Sequence, residues 1–288
     1  MSQKSRWAEI EIAAPAPSVE AVGQGMNSVG CAGFSVKDEH EPNLVIGYLP
    51  VDDRLEGRLY ELKDHIAKLP SFGLPAAEEE ITVRYVDEED WATAWKAYFK
   101  PIPIGRRIVI TPPWESPELT SEQIAVVVDP GMAFGTGSHP TTQLCLAAID
   151  EFLKPGDSVG DLGTGSGILA IAAKLLGAGI VAGSDVDPLA VKIAQENAEV
   201  NGVDIDFTID APTGQYDLVV ANILADVILD LKDLLINMTK PSGVLVVSGI
   251  IDTRSGDVLR GLTDAGLELI EERAQSEWRA IIFRRPTV

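Results

Sequence analysis

The stretch Val159-Gly160-Asp161-Leu162-Gly163-Thr164-Gly165-Ser166-Gly167 decides the fold of this chain. It reads as a buried strand that passes through alternating glycines into a helix beginning near Ile168. Glycine allows left-handed backbone and a close approach of a ligand, and the first turn of a helix favours negative charge. In an open parallel sheet such a turn lies at the carboxyl ends of the strands, where ligands bind. The stretch therefore predicts a ligand-binding α/β domain.

Apolar strands alternate with helices on both sides of this turn, from about Ser121 onward. Such alternation is typical of a parallel sheet covered on both faces. The last two strands have only a short connection, so the final strand is expected to enter antiparallel as part of a hairpin. The predicted strands are 124–128, 158–162, 180–184, 205–208, 217–221, 244–248, 267–271 and 279–283. The predicted helices are 141–153, 168–176, 188–200, 225–237 and 254–265.

The first 86 residues have a different organisation, in the order strand, helix, strand, strand, helix, strand. Strands are predicted at 6–12, 34–36, 44–49 and 81–86, with helices from Ser18 toward Gly30 and at 55–69. Ser18 is suited to cap the first helix, and Pro70 is suited to end the second. This order predicts a small α+β domain of the ferredoxin-like βαββαβ type. It carries no glycine-rich turn or cluster of titratable groups, which favours binding over chemistry.

Residues 87–120 are predicted to join the two parts. The segment DEEDWATAWKAYFK at 87–100 places Trp91, Trp95 and Phe99 on one helical face. That face fits a connecting helix packed on a domain, or alternatively an aromatic docking surface for a partner. A proline-rich connector with one strand at 107–111 follows. The predicted organisation is therefore a domain at 1–86, a linker at 87–120 and a catalytic domain at 121–288.

Composition and charge exclude several classes of protein. The 288 residues include 44 acids against 23 bases, for a net charge of −21, and 45% of them are hydrophobic. The hydrophobic content excludes a wholly disordered chain. The acidity argues against direct nucleic-acid binding, which relies on clustered Lys and Arg. It permits a basic protein partner, although acidic surfaces also serve solubility alone.

Cysteine usage and the start of the chain bear on the compartment. Cys31 and Cys145 make no disulfide framework and show no metal-ligand spacing with histidine, so we expect two small core residues and no metal. The N-terminus is charged where a signal peptide needs an apolar run, and no stretch reaches the length of a membrane span. A cytoplasmic, reduced, monomeric protein with no membrane attachment is expected.

Two further strand ends place polar groups beside the glycine turn. Asp185 ends the next predicted strand, and a carboxylate there can accept both hydroxyls of a ribose. Asp187 precedes a proline and fits an ordinary helix N-cap. Asn222 ends the buried strand 217–221 at the switch point of the sheet. In related sites that hold a planar amide or adenine nitrogen, two prolines and an aromatic residue follow such an asparagine. Here Ile223 and Leu224 follow it, so the sequence favours an aliphatic amine as the acceptor.

The spacing of the glycines separates two cofactor classes. A dinucleotide fingerprint is G-x-G-x-x-G, whereas this chain has G-x-G-x-G preceded by Asp161. An acid at that place would repel a pyrophosphate, and it suits a ligand whose amino-acid end carries an ammonium. The pattern favours S-adenosylmethionine over a nicotinamide dinucleotide.

A second glycine-rich stretch, DPGMAFGTGSHPTT at 129–142, leads into a predicted helix. Its Phe134 and His139 can both reach a ligand bound at the glycine turn. Thr141 and Thr142 fall in the first helical turn, where hydroxyls are available to the site. A lone histidine is more often structural, so His139 is a candidate on account of this location.

Four stretches resemble the bacterial methyltransferases of ribosomal protein L11. They are DPGMAFGTGSHPTT, DLGTGSGILAIAAKLLGA, GSDVDPLAVKIAQENAEVNG and ANILADVILDL, at 129–142, 161–178, 183–202 and 221–231. They occur in the family's order, and DEEDWATAWKAYFKPIPIG resembles the family's connector. The N-terminal part matches chiefly in length and element order. The resemblance implies a Rossmann-like class I methyltransferase domain with a seven-stranded sheet, and an N-terminal domain that recognises the ribosomal protein.

The resemblance also implies a reaction and a set of residues. Methyl groups would pass from S-adenosylmethionine to lysine ε-amines and the N-terminal α-amine of ribosomal protein L11. The residues implied to bind the cofactor are Thr142, Asp161, Gly163, Gly165, Asp185 and Asn222, and the catalytic candidates are Asn222, His139 and Phe134. Two departures stand out: Thr164 replaces the usual cysteine, and Gly160 replaces an aliphatic residue, which is expected to weaken its strand.

Three other functions remain open from the sequence. A nicotinamide oxidoreductase would need the other glycine spacing, and a binding module on this fold would hold S-adenosylmethionine without transferring its methyl group. A third possibility keeps the chemistry and changes the substrate to lysines of another protein.

Overall fold

The computed structural model describes residues 6–31, 34–37, 42–52, 54–72, 74–78, 81–87, 100–129 and 137–287. The chain forms two compact units, Met1–Phe99 and Lys100–Val288. The aromatic helix face predicted at 91–99 falls outside the described residues. Among the described helices, none is long and apolar enough to cross a membrane.

The N-terminal unit is a ferredoxin-like βαββαβ domain, as predicted. Its elements are β1 (Arg6–Ala14), α1 (Val19–Ser28), β2 (Phe34–Lys37), β3 (Asn43–Pro50), α2 (Leu55–Lys68) and β4 (Thr82–Asp87). The strand order is β2-β3-β1-β4, with all neighbours antiparallel. Alternation along β1 buries Ala8, Ile10 and Ile12 completely in a core that also takes in Leu62 and Ile66 of α2.

Ser18 occupies the N-cap position of α1 without capping it. Its hydroxyl donates instead to the carbonyl oxygen of Pro75 at 2.6 Å, and the side chain is fully buried. A buried hydroxyl needs a partner, and here that need is met across the domain. Sequence alone could not show this choice, because the two residues are 57 positions apart.

The second unit begins with a small three-stranded sheet of β5 (Ile102–Ile104), β6 (Ile108–Thr111) and β7 (Ile124–Val127). The proline-rich connector therefore contributes two strands where the sequence predicted one. Proline in a strand argues against a central position but is tolerated at an edge. Pro103 lies in β5, which is an edge strand. The turn at Gly105, with a φ of 58°, is held by Asp150, whose carboxylate accepts from the Arg106 N–H at 2.8 Å.

The larger sheet has seven strands, as the family resemblance implied. They are β8 (Val159–Leu162), β9 (Val181–Ser184), β10 (Asp206–Thr208), β11 (Tyr216–Asn222), β12 (Thr239–Ile251), β13 (Glu268–Gln275) and β14 (Trp278–Arg284). Their order is β10-β9-β8-β11-β12-β14-β13. The strands from β10 to β12 are parallel, and β14 is antiparallel to both of its neighbours. The predicted final hairpin is confirmed.

Helices pack on both faces of this sheet. They are α3 (Pro140–Phe152), α4 (Ile168–Leu175), α5 (Pro188–Val200), α6 (Ala225–Asp230), α7 (Lys232–Met238) and α8 (Asp252–Asp264). Two hydrophobic clusters, one containing Ile149, Ile171 and Val220 and the other Val219 and Ile228, fill the layers. Because β8 lies between β9 and β11, the strand order reverses there and opens a crevice at the carboxyl ends.

Two elements differ from the predicted bounds. The strand predicted at 244–248 extends from Thr239 to Ile251 and contains Ser242, whose φ is 66°. Pro241 and Gly243 around it indicate a turn in sequence terms, whereas β12 passes through this segment with a shift in its register to β11. The helix predicted at 225–237 is two helices, α6 and α7, that meet at Leu231. Neither glycine nor proline marks that break.

Gly160 has a packing role that its strand propensity hides. A Cβ at this position would lie 2.9–3.2 Å from ring atoms of Tyr216 on β11. The sequence suggested only a weakened strand, but the bare backbone leaves room for a buried aromatic ring on the neighbouring strand.

Substituting Gly160 should therefore destabilise the protein. We expect Gly160→Ala to lower the free energy of unfolding by about 1–3 kcal/mol, since the added methyl group displaces the Tyr216 ring. The measurement is urea denaturation of the single variants Gly160→Ala and Tyr216→Leu and of the double variant. In the double variant the cost of the added methyl group should largely disappear. Equal costs with and without the ring would contradict this explanation.

Candidate active site

The glycine turn (Gly163–Gly167) joins β8 to α4. Gly163, Gly165 and Gly167 have φ values of 75°, 54° and 80°, a left-handed region that side chains disfavour. The N–H groups of Gly163 and Thr164 both donate to the carbonyl oxygen of Ser184 at 2.9 Å. The alternating glycines are thus each required by the backbone, and the turn is fixed to the end of β9.

Asp185 follows β9 directly and faces the glycine turn. One carboxylate oxygen accepts from the Gly165 N–H at 2.9 Å, and the other accepts from the Asp187 N–H at 3.0 Å. Asp187 itself caps α5 by accepting from the Leu189 N–H at 2.9 Å. Asp187 is thus the N-cap of α5, as predicted, whereas the ribose role of Asp185 stays a prediction. Both acids line the cavity beside the turn.

A cavity of about 680 Å³ opens beside the turn. Four predicted residues line it together: Gly163, Gly165, Asp185 and Asn222. Its other walls are mostly aliphatic and come from α5, from the segment after β10 and from α6 and α7. They include Val186, Leu189, Ala190, Ile193, Ile209, Ala211, Ile223, Leu224, Val227, Leu231 and Leu234. The arrangement is polar at the strand ends and apolar beyond them, as small-molecule sites commonly are.

The apolar walls were missed at the sequence level. Ile209 and Ala211 follow β10, whose carboxyl end lies on the same edge of the sheet as Asp185. Because the carboxyl ends of parallel strands share one edge of the sheet, the sequence could have indicated that these two residues lie near Asp185. Leu231 and Leu234 reach the cavity from the two helices that replace the single predicted helix, so their position depends on the unpredicted break.

Asp161 lies in β8 just before the turn and is completely buried. Its Oδ2 accepts from the Thr164 hydroxyl at 2.7 Å, and its Oδ1 has no hydrogen-bond partner among the described residues. Burial raises the pKa of this carboxyl to about 6; the Thr164 hydrogen bond opposes the rise and the negative charge of Asp185 adds to it. Thr164, where the family resemblance expects cysteine, thus supplies a hydroxyl donor to this acid.

Asn222 and Thr142 meet at the switch point, although they are 80 positions apart in sequence. Asn222 ends β11, and its Nδ2 donates to the Thr142 hydroxyl at 3.4 Å. Thr142 is buried in the first turn of α3. The amide oxygen of Asn222 is the atom of this side chain that can accept from a ligand, since the amide nitrogen only donates.

His139 is the N-cap of α3. Its Nδ1 accepts from the Thr141 N–H at 3.3 Å and lies 2.7 Å from the Thr141 hydroxyl oxygen. The ring packs edge-on against Trp278, with centroids 4.8 Å apart. Burial lowers its pKa, and nearby Glu277 opposes that effect. The structure thus uses the Nδ1 atom of His139 to cap α3, and the predicted catalytic role of this residue stays a prediction. Phe134, the other catalytic candidate of this stretch, lies outside the described residues.

The chemistry of these groups fits the predicted methyl donor. The half-buried backbone of Gly163 and Gly165, and the Asp161 carboxylate buried in the strand that leads into the turn, suit an amino-acid end with an ammonium. Asp185 suits ribose hydroxyls. The aliphatic walls suit a planar base. In the described part of the chain, no cluster of three or more His, Cys, Asp or Glu side chains could hold a metal ion.

Comparisons with known proteins agree on one family. A sequence model of the family described as ribosomal protein L11 methyltransferase (PrmA) matches residues 6–286. A ribosomal protein L11 methyltransferase of Symbiobacterium thermophilum is 40% identical over 304 residues, covering 98% of this chain and 100% of its own length. Its counterpart in Desulfitobacterium hafniense is 43% identical over 300 residues, covering 94% and 96%. The crystal structure of ribosomal protein L11 methylase from Lactobacillus delbrueckii subsp. bulgaricus is 34% identical, with a TM-score of 0.61 over 65% of this chain and 100% of that chain.

The raised pKa of Asp161 predicts a pH-dependent stability. The folded protein binds this proton more tightly than the unfolded chain, since the pKa rises from 3.8 to about 6. The associated stabilisation is present at pH values below 3.8 and is lost as the pH rises through 6, a change of about 3 kcal/mol. We expect Asp161→Asn, without ligand, to gain stability relative to the native protein between pH 4 and pH 8, by urea denaturation.

Asp217→Asn is the matched control with the opposite sign. Hydrogen bonds from Lys240 and Ser158 outweigh the desolvation of Asp217 and lower its pKa to about 2. That variant should be less stable than the native protein at pH 8. If the stability difference between Asp161→Asn and the native protein were the same at pH 4 and pH 8, the raised pKa of Asp161 would be contradicted.

Proposed function

This chain belongs to the ribosomal protein L11 methyltransferase family, and we propose that it methylates lysine ε-amines and the N-terminal α-amine of that protein. It is a methyltransferase that takes ribosomal protein L11 as its substrate and S-adenosylmethionine as its methyl donor. The choice of aliphatic amines as acceptors is supported by one observation above others. Asn222 ends β11 with an amide oxygen free for an N–H donor, and Ile223 and Leu224 follow it.

The proposed donor site uses the groups gathered around the glycine turn. S-adenosylmethionine carries a methyl group on a positively charged sulfur. An amine lone pair can attack that methyl carbon, and the sulfur leaves as a neutral thioether. We assign the ammonium end of the donor to Asp161 and the ribose hydroxyls to Asp185. Gly163 and Gly165 offer backbone to the amino-acid end, and the aliphatic walls take the base. Thr142 fixes the amide of Asn222 next to them.

The acceptor amine must reach the site without its proton. A free lysine has a pKa of about 10.4, so it arrives mostly charged at neutral pH. An apolar wall and a neighbouring positive charge both disfavour the ammonium form and lower that pKa. The Asn222 oxygen accepts a hydrogen bond from the neutral amine and directs its lone pair to the methyl group. Holding the reactants in line in this way is the main contribution of the protein.

His139 is assigned a positioning role in this scheme. Its Nδ1 accepts from the Thr141 N–H and lies 2.7 Å from the Thr141 hydroxyl. It fixes the first turn of α3 and thereby Thr142. Phe134, in the same glycine-rich stretch, is proposed to contact the acceptor side chain.

Recognition of the substrate is assigned to residues 1–86, with 87–120 as a connector to the methyltransferase domain at 121–288. The sequence carries a net charge of −6 in residues 1–86 and −15 in residues 87–288. Because both parts are acidic, attraction of a basic protein substrate would act over the whole molecule. We propose a monomer that works in the cytoplasm and contacts its protein substrate rather than nucleic acid.

Asn222 provides a test of the mechanism. We expect Asn222→Ala to lower kcat about 10²-fold, since the amine loses the group that orients it. Asn222→Asp keeps the size and an acceptor oxygen but loses the donor to Thr142, so it should retain more activity than the alanine variant. The measurement is steady-state methylation of purified ribosomal protein L11, with calorimetric binding of S-adenosylhomocysteine as a check on the site. Unchanged turnover and binding in Asn222→Ala would refute the assignment.

The acceptor groups are tested directly with isotope-labelled S-adenosylmethionine. Unmethylated ribosomes and free ribosomal protein L11 are each incubated with the enzyme, and labelled residues are identified by mass spectrometry. Label is expected on lysine side chains and on the N-terminal amine. Prior acetylation of the amines should abolish this labelling. In a separate measurement, raising the salt from about 50 to about 300 mM should reduce kcat/KM, because salt screens the attraction between the acidic enzyme and a basic substrate. Label confined to other residue types, or to another protein, would overturn the proposal.

A further inference from the structure

Two asparagines of α5 bind the backbone of two other segments. Asn197 Nδ2 donates to the carbonyl oxygen of Ser166, inside the glycine turn, at 2.8 Å. One helical turn later, Asn201 pairs with both backbone groups of Val127. Its Oδ1 accepts from the Val127 N–H at 2.8 Å, and its Nδ2 donates to the Val127 carbonyl at 2.7 Å. Val127 ends β7, two residues before the glycine-rich stretch at 129–142.

These contacts lie on one face of the helix. Ala194, Asn197 and Asn201 are spaced by three and four residues, the spacing that aligns side chains on a helix. A Cβ at Gly167 would lie 3.0 Å from the Ala194 Cβ, so the helix packs directly on the glycine turn. Asn197 is 7% exposed and Ser166 is 1% exposed. The Asn197 amide therefore donates to a buried carbonyl inside the turn.

Another part of the same helix forms the cavity. Leu189, Ala190 and Ile193 line it, next to Asp185. A single helix thus carries an apolar wall of the cavity together with two amide links. One link runs to the glycine turn and the other to Val127 at the end of β7. Glycine-rich backbone has many accessible conformations, so a link that selects one of them prepares the site before a ligand arrives.

We propose that Asn197 is a positioning residue of the methyl-transfer site. Asn197 holds the glycine turn at a fixed place relative to the α5 wall, and so controls affinity for the methyl donor. Asn201, the C-cap residue of the same helix, holds the end of β7 and serves as the comparison. The inference rests on the proposed function only for the identity of the donor.

The first arm of the test uses Asn197→Asp, which keeps the shape and removes the donor to Ser166. The Kd for S-adenosylhomocysteine, measured by calorimetry, should rise at least about tenfold. Without ligand, amide hydrogen exchange at 163–168 should be faster, while exchange in the inner strand β12 should change no more than the variant's overall stability requires. Glu199→Gln, which removes a negative charge at an exposed position of the same helix, is the control. Its Kd for S-adenosylhomocysteine and its amide exchange at 163–168 should match those of the native protein. If Asn197→Asp folds poorly, Asn197→Ser serves instead.

The second arm uses Asn201→Leu. Exchange of the Val127 amide should rise at least about tenfold, because its acceptor is lost. The Kd for S-adenosylhomocysteine should change less than in Asn197→Asp, because Val127 lies in β7 and not in the glycine turn. Native-like binding and exchange at 163–168 in both Asn197 variants, or uniform acceleration of exchange throughout Lys100–Val288, would overturn the proposal. Because the binding and exchange measurements use no acceptor, a failure of lysine methylation would leave this test unaffected.

Discussion

The left-handed backbone between β8 and α4 is the constraint on which the site depends. Three glycines adopt it within five residues, and the packing leaves no room for side chains there. A Cβ at Gly163 would lie 2.3 Å from a methyl group of Ile223. Because β11 and α5 press against the turn from two sides, the acid that follows β9 and the amide that ends β11 face the same cavity. Gly167, the N-cap residue of α4, offers no capping side chain and has a left-handed φ of 80°.

The arrangement of the polar groups in the site lowers the stability of the folded protein. Asp161 is buried close to a second carboxylate, and both its burial and the negative charge of Asp185 disfavour its ionised form. A cation placed beside it would relieve both effects at once. A ligand end that is anionic throughout would add to the repulsion. Local destabilisation of this kind is common where a binding group must be ready before its partner arrives.

The sequence predicted those parts of the site that local backbone chemistry dictates. Alternating glycines, an acid after β9 and an amide at the end of β11 follow from strand ends and could be read directly. Contacts between distant segments could not. Ser18 bonds Pro75 instead of its own helix, Tyr216 explains Gly160, and the break at Leu231 brings aliphatic side chains to the cavity. His139 was placed correctly beside the predicted helix, but its use as a cap depends on the rotamer that directs Nδ1 to Thr141.

The antiparallel strand β14 sets the order in which the sheet can be completed. It lies between β12 and β13, although it follows both in sequence. Until β14 is in place, β13 has no partner in the sheet and β12 presents an open edge of unpaired backbone groups. Pairing of such late, non-local strands is slow. A chain emerging from the ribosome would thus hold an unsealed, aggregation-prone edge until its final described strand is available. Assembly of this sheet is therefore governed by its last hairpin, far in sequence from the glycine turn that organises its chemistry.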